Sequence, residues 1–207
     1  MTKIIVCSAA AAEIEVIVTM FGEFYDEVTT AFLGNRLSLK YQQTTAELSK
    51  GLRQRLAKVY ERANELTGQE ALIVHATAIN LGKIFYDLLR LSGNVETKVR
   101  EKISFSEAAS SEVTEVMRRT KDLLPHLGDA ILTRNPLIVG HVEKETEALG
   151  VAIQHCVKTH EERLCRGICH PKASIIFMLM NQQLQDILWH CQALVSENHV
   201  FPSQPQK

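Results

Sequence analysis

The feature of this sequence that most restricts its fold is an apolar repeat of alternating three- and four-residue steps along almost the whole chain. In residues 13–33 the repeat consists of Ile14, Ile17, Phe21, Phe24, Val28 and Ala31. This spacing places apolar side chains along one side of an α-helix, where they can pack against neighbouring helices. The repeat therefore predicts an all-α protein.

Interruptions of the repeat divide the chain into six long helices. The first predicted helix covers residues 13–33, the second covers about 36–66, and the third runs from "TGQE" at 67–70 to about Lys102. The fourth helix begins where the repeat restarts at Val113, and it ends at "TRNP". The fifth helix runs from Pro136 to near Gly167, and the sixth begins at "CHPKAS". We expect "SFSEAASSE" to form a polar joint before the fourth helix. Thr67 and Glu70 have the spacing of a capping box. Pro125 should kink the fourth helix, because proline removes one backbone hydrogen bond.

The two halves of the chain repeat the same pattern at an offset of 99 residues. This offset aligns Ile14 with Val113 in the first helix of each half and Asp87 with Asp186 in the last. One three-helix unit therefore occurs twice, and the short connections favour two tandem three-helix bundles. The predicted units are residues 1–104 and 105–207, the second with a short disordered C-terminal tail.

Composition and charge restrict the class of function. The chain of 207 residues is 45% hydrophobic and 23% charged, and its formal net charge of -1 gives no reason to expect nucleic acid as a partner. Its five cysteines are an odd number without regular spacing, which favours a cytoplasmic location over a disulfide framework. The N-terminal run "KIIVCSAAAA" resembles a signal-peptide core, but it is short and leads directly into Glu13 and Glu15, which favours a helix of the fold. The longest candidate for a membrane span, "ASIIFMLM", is far shorter than the run of about 18 apolar residues that a span requires. No Ser-His-Asp order, phosphate-binding glycine loop or Glu-x-x-His pair appears, so we do not expect an enzyme.

One short run of the sequence is rich in potential metal ligands. Residues 163–191 contain Cys165, Cys169, His170, His190 and Cys191. A soft-metal or redox site is one interpretation, and a packed corner of a helical bundle is the other. "CRGIC" is one residue longer than the Cys-x-x-Cys unit of structural zinc sites, and buried free cysteine behaves as a small hydrophobe. These points favour the packed corner.

Three strings of the second half carry a resemblance to a known family. They are "VMRRTKDLLPHLGDAILTRNP", "HVEKETEAL" and "RLCRGICHPKASIIFMLMNQQLQDILWHCQAL". The chain resembles the PhoU family, and within it the PhoU-like domains of sodium/phosphate cotransporters. The resemblance implies a non-catalytic regulator or accessory protein of phosphate transport or phosphate signalling, which acts through helical interaction surfaces. It implies a phosphate transporter or a signalling protein as partner, membrane association only through such a transporter, and the pairing of two copies as a homodimer.

The family also suggests where ligands could bind. Its members carry carboxylates four residues apart, which lie one helical turn apart and bind iron or zinc. Glu143 and Glu147 have this spacing, and the first half offers Gln43 and Glu47. The resemblance thus implies Glu143 and Glu147 as ligands of a divalent ion such as iron, zinc or manganese. We expect all four residues to form one partner-binding surface, with helices two and five side by side.

Two expectations remain open. The alternative function is a metal-binding helical bundle protein with a storage or redox role, built on carboxylate or Cys/His ligands. Trp189 is the only tryptophan and falls where PhoU relatives carry a metal-binding aspartate. If that site has been converted to packing, Trp189 should be mostly buried, whereas an exposed indole would indicate a contact surface.

Overall fold

The computed structural model describes residues 8–196, and this part of the chain consists of six α-helices without strands. The helices are α1 (Ser8–Gly34), α2 (Tyr41–Glu65), α3 (Gly68–Arg100), α4 (Glu107–Thr133), α5 (Pro136–Cys165) and α6 (Pro171–Val195). The prediction of an all-α fold with six long helices is confirmed. Residues 3–7 of the N-terminal apolar run, Cys7 among them, and the predicted C-terminal tail lie outside the described residues.

Three predicted helix starts differ from the structure, since α1 begins at Ser8 rather than 13, α2 at Tyr41 rather than about 36, and α4 at Glu107 rather than Val113. The expected polar joint is largely helical, because α4 begins at Glu107, where the Ser106 hydroxyl accepts a hydrogen bond from the Ala109 backbone N–H at 3.3 Å. Thr67 occupies the N-cap position of α3, but its side chain makes no capping hydrogen bond. The next residue, Gly68, has a φ of 64°, which takes the start of the helix away from capping-box geometry.

The apolar repeat lies in the core as predicted, with one exception. Its members in α1, α2 and α4 are buried or partly buried, from Ile14 in α1 to Ala130 in α4. In the third helix the repeat predicts a stripe through Ile73, Ile79, Ile84, Leu88 and Leu91, and of these Ile79 is exposed. The actual stripe runs through Val74, Ala78 and Leu81, so Ile79 points away from the core on the other side of the helix.

Four helices, α1, α3, α6 and α4, pack in a closed ring that we call the central layer, with α2 on one side of it and α5 on the opposite side. In the first half α2 packs on α1 and α3, and in the second half α5 packs on α4 and α6. The halves join where α1 packs on α4 and α3 packs on α6. One hydrophobic core runs through all six helices. The division into separate units at residue 104 stays a prediction.

Successive helices run in opposite directions, so α3 and α6 are antiparallel. Asn94 contacts Gln183 near one end of this pair, and Asn80 contacts His190 near the other. The arrangement leaves two sides of the central layer uncovered by any helix of residues 8–196: the outer side of α1 and α4, and the outer side of α3 and α6. These two open sides are where other molecules can reach the central helices.

The third helix is apolar enough to be compared with a membrane span. By length and composition alone α3 could cross a membrane, with a mean hydropathy of 1.3 over its most apolar 18-residue window. Half of that window is buried inside the protein, as in the core helix of a globular domain.

Candidate functional site

The carboxylate and amide pairs proposed as a binding surface lie on two separate outer helices. On α2, the Gln43 side chain donates a hydrogen bond to Glu47 at 2.9 Å, and both residues are exposed. On α5, Glu147 is exposed and Glu143 is half-buried, where it accepts a 3.4 Å hydrogen bond from the Ser196 hydroxyl. Each pair is therefore accessible on its own helix.

The structure does not bring the two pairs together. The α2 helix contacts α1 and α3, whereas α5 contacts α4 and α6, so the central layer separates them. The expectation that helices two and five lie side by side was wrong. An amphipathic stripe determines which side of each helix is buried, but α2 and α5 bury theirs against different partner helices.

No metal centre is formed by the described residues. In residues 8–196, no three His, Cys, Asp or Glu side chains converge closely enough to hold an ion. Glu143 and Glu147 therefore lack a third ligand of this kind within that range. Their role as metal ligands stays a prediction.

Part of the run of thiols and imidazoles packs where α5 meets α6, whereas Cys165 is exposed and His190 and Cys191 lie near the other end of α6. The His160 ring is buried and stacks on Phe177 with ring centroids 4.1 Å apart. The Cys169 sulfur lies 3.9 Å from His160 Nδ1, a weak contact. His170 caps α6, since its Nδ1 accepts a hydrogen bond from the Lys172 backbone N–H at 3.2 Å. Each of these side chains thus has a structural partner.

The buried cysteines are poor nucleophiles. Burial raises the pKa of the Cys191 thiol to about 12 and also raises the pKa of Cys156. A thiol whose pKa lies so far above neutral pH carries little of the reactive thiolate. Cys191 and Cys156 therefore behave as small hydrophobic core residues.

Trp189 is not buried, in contrast to the packing expectation. The indole is 49% exposed on the outer side of α6, and its centroid lies 5.9 Å from the Lys83 Nζ of α3. The physical reason is that the buried side of this turn of α6 is formed by other residues, namely Ile187, Leu188 and Cys191. An exposed tryptophan indicates a contact surface, because such a large amphipathic ring is enriched at protein interfaces.

Trp189 belongs to a set of exposed apolar residues that we call the α3–α6 face. The set comprises Leu72, Ile79 and Tyr86 of α3 and Ile175, Leu179 and Trp189 of α6, each at least 37% exposed. The α3 members are seven residues apart and the α6 members recur at helical spacing, so each group forms a stripe along its helix. The contact of Lys83 with Trp189 places Ile79 and Tyr86 at the Trp189 end of this helix pair, whereas the contact of Asn94 with Gln183 places Ile175 and Leu179 toward the other end.

Charged groups lie between the two stripes. Asp87 is 4% exposed, and its carboxylate lies 3.6 Å from the Arg90 guanidinium. Burial, together with the nearby negative charge of Asp186, raises the pKa of Asp87 to about 6. The Gln182 side chain donates a hydrogen bond to Asp186 at 2.8 Å. The repeat alignment of Asp87 with Asp186 thus corresponds to a pair of residues close together across α3 and α6.

His190 completes the polar part of this region. Its ring Nδ1 lies 3.0 Å from the Asn80 side-chain oxygen, where a protonated Nδ1 donates the hydrogen bond. Burial and the positive charge of Lys83 lower the pKa of His190 to about 4. The imidazole is therefore neutral at physiological pH. The Trp189 ring of the α3–α6 face thus lies beside a neutral, hydrogen-bonded side chain.

No family model, curated protein or solved structure matches this chain. The resemblance to the PhoU family therefore stays a prediction.

Sequence reasoning missed most of the α3–α6 face, although the sequence contains a signal for part of it. Leu72, Ile79 and Tyr86 recur every seven residues on a side of α3 that the core stripe does not use. A second apolar stripe on one helix indicates a second contact, because core packing needs only one. The corresponding stripe of α6 is harder to recognise, since α6 is apolar on most of its circumference.

Proposed function

We propose that this protein is a non-catalytic interaction protein that binds a protein partner through the α3–α6 face. The single observation that carries the proposal is the exposure of Trp189, Tyr86 and Ile79 on one surface. Aromatic anchors surrounded by smaller apolar residues are typical of binding hot spots. Large exposed apolar patches are uncommon on monomeric proteins that bind no partner.

The cations of the face support this function. Lys83 lies beside the Trp189 ring, and the Arg90 guanidinium carbon lies 5.5 Å from the centroid of Tyr86. These cation–π contacts restrict the aromatic rings before binding, so fewer rotamers are lost when a partner docks. The same cations can pair with carboxylates at the rim of a partner surface.

The identity of the partner is proposed from the sequence resemblance. A regulator of phosphate transport or phosphate signalling would dock this face on a phosphate transporter or on a signalling protein. Such a role needs accessible helical surfaces, and the exposed residues of the α3–α6 face support it. The chain would then reach a membrane through its partner.

The sole tryptophan makes the proposal directly testable. Purified protein should be titrated with a candidate sodium/phosphate cotransporter whose tryptophans have been replaced, while the emission of Trp189 is followed. Docking on the α3–α6 face should shift the emission to shorter wavelength and protect the indole from acrylamide quenching. Unchanged emission at saturating transporter, with unchanged phosphate uptake in cells that lack the protein, would reject this partner.

A matched pair of variants tests the surface itself. Ile79→Ser lies on the α3–α6 face, and Leu137→Ser alters an exposed leucine on α5. Both side chains are exposed, so both variants should keep the wild-type circular dichroism. We expect Ile79→Ser to weaken binding by about 1 kcal/mol or more and Leu137→Ser to leave it unchanged. Equal effects would place the contact elsewhere.

The metal-storage or redox alternative remains a separate prediction. Elemental analysis of protein purified without chelators tests it directly. One or more iron, zinc or manganese ions per chain, lost in Glu143→Gln/Glu147→Gln, would support this alternative.

A further inference from the structure

The second open side of the central layer contains a groove between α1 and α4. The groove has a volume of about 410 Å³. Its apolar and small lining residues are Val18, Gly22, Leu124, Pro125, Gly128 and Leu132. The helices approach closely at Gly128, where an added Cβ would lie 3.2 Å from Val18 Cγ1, whereas a Cβ at Gly22 would meet no atom within 4 Å. Gly22 therefore borders open space in the groove.

The polar lining of the groove is strongly acidic. Four carboxylates line it, from Glu15, Glu23, Asp26 and Asp129, and Lys121 is the one cation among the lining residues. Four negative charges and one positive charge give the groove a net charge of about -3, whereas the whole chain carries -1. Lys121 pairs with Asp26 at 2.8 Å, and no ion pair within residues 8–196 reaches the other three carboxylates.

We propose that this groove binds a cationic amphipathic helix of a partner protein. The acidic rim matches lysine and arginine side chains, and the apolar floor matches a narrow stripe of small or medium aliphatic residues. This is the helix-in-groove mode of recognition, in which side chains at helical spacing insert between two helices. The volume accommodates inserted side chains, so the helix axis lies above α1 and α4.

The backbone of the groove favours a helix over an extended peptide. The groove-lining residues from Glu15 to Leu132 all belong to α1 or α4, whose backbone groups bond within those helices except at Pro125, which has no N–H to donate. An extended segment would find no sheet edge to pair with, whereas a helix satisfies its own backbone hydrogen bonds. The bound segment must therefore be helical, so that its backbone hydrogen bonds form within the segment itself.

This site is independent of the α3–α6 face. The two surfaces lie on opposite sides of the central layer, and they differ in chemistry: the α3–α6 face is aromatic with cations beside its rings, whereas the groove is narrow and acidic. A partner on one surface does not block the other. The inference therefore goes beyond the proposed function and can fail without affecting it.

The test uses the whole protein and a fluorescently labelled helical peptide of about 18 residues, built from a narrow leucine and alanine stripe with lysines along both of its edges. A matched peptide carries glutamate in place of lysine. We expect saturable binding of the lysine peptide, weakened by added salt, and no binding of the glutamate peptide. Failure of the lysine peptide to bind, or equal binding of both peptides, would overturn the proposal.

Two groups of variants locate the binding. Gly22→Leu fills the groove, and its added atoms point into open space, so the helix should stay intact; we expect about tenfold weaker binding. Glu23→Gln/Asp129→Asn removes rim charge and should weaken binding about fivefold with a smaller salt dependence. Glu61→Gln/Glu161→Gln, the control, removes two exposed carboxylates from α2 and α5 and should leave affinity unchanged.

The same variants distinguish the proposed occupant from a second copy of the chain. Sedimentation of the protein without peptide should give the same mass for wild type and Gly22→Leu. A wild-type dimer that dissociates in Gly22→Leu would overturn the proposal, because the groove would then be a self-association surface. Wild-type affinity for the lysine peptide in Gly22→Leu, with unchanged circular dichroism, would also overturn it.

Discussion

At the residue scale, Asp87 is the clearest case of a group whose charge works against the fold. Its pKa is raised to about 6 by burial and by Asp186, from an ordinary value near 3.8. The folded state therefore binds this proton more tightly than the unfolded state. The resulting stabilisation is fully present below about pH 4 and is lost as the pH rises through about 6.

Replacing this carboxylate should stabilise the protein at neutral pH. We expect Asp87→Asn to raise the free energy of unfolding by about 1 to 3 kcal/mol at pH 7.5, because a neutral amide avoids both desolvation and repulsion by Asp186. At about pH 4 the gain should disappear, since the wild-type carboxyl is then largely protonated in the fold. Urea unfolding at both pH values measures the effect. A less stable variant at pH 7.5 would show that the Arg90 contact dominates.

Trp189 gives a second test at this scale. Removal of a fully buried tryptophan side chain costs about 3 to 5 kcal/mol, but this indole is half exposed. We expect Trp189→Ala to lower the free energy of unfolding by only about 1 kcal/mol, measured by circular dichroism. A loss above about 3 kcal/mol would mean that the residue acts mainly in packing.

The sequence could not reveal the position of Trp189 for a physical reason. In α6, apolar residues occur on most sides of the helix, so their spacing in the sequence does not distinguish the buried side from the exposed side. The contrast with α1 is instructive, because its single stripe from Ile14 to Ala31 was predicted and is buried. The buried side of a helix with one apolar stripe can be predicted from its sequence. In a helix with two apolar stripes, the buried side depends on which neighbouring helices cover it.

At the scale of elements, two glycines of the α1–α4 contact should respond differently to alanine. Gly22→Ala is expected to stabilise by about 0.5 to 1 kcal/mol, since its Cβ meets no atom within 4 Å and alanine favours the helix. Gly128→Ala places its Cβ 3.2 Å from the stiff Val18 side chain and should lower stability by about 1 kcal/mol. Thermal unfolding compares them, and an equal gain in both would mean that α1 and α4 can separate freely.

The six helices themselves could be predicted, but their neighbours could not. Breaks such as Pro136 and Pro171 mark helix starts through backbone chemistry alone, and both open a helix as expected. The placement of α2 and α5 on opposite sides depends instead on which apolar stripes meet, a property of pairs of distant segments. The groove and the α3–α6 face depend on the same pairing, and so they became visible only in the assembled bundle.

At the scale of the whole molecule, the shared core predicts that both halves unfold together. Leu52 is fully buried in α2, in the opposite half from Trp189. We expect Leu52→Ala to lower stability by about 2 to 5 kcal/mol and to shift the urea transition of Trp189 fluorescence as much as that of circular dichroism. A Trp189 transition that stays at its wild-type midpoint would instead identify two independent folding units.

The alternation of helix directions also determines how the molecule can be held. Because six helices run alternately up and down, α1 begins and α6 ends at the same end of the bundle, while the α3–α6 face and the α1–α4 groove lie along its sides. A label, an anchor or a neighbouring domain attached at that end leaves both flanks free. The molecule can therefore be attached to a support at that end while two partners bind its opposite sides at the same time.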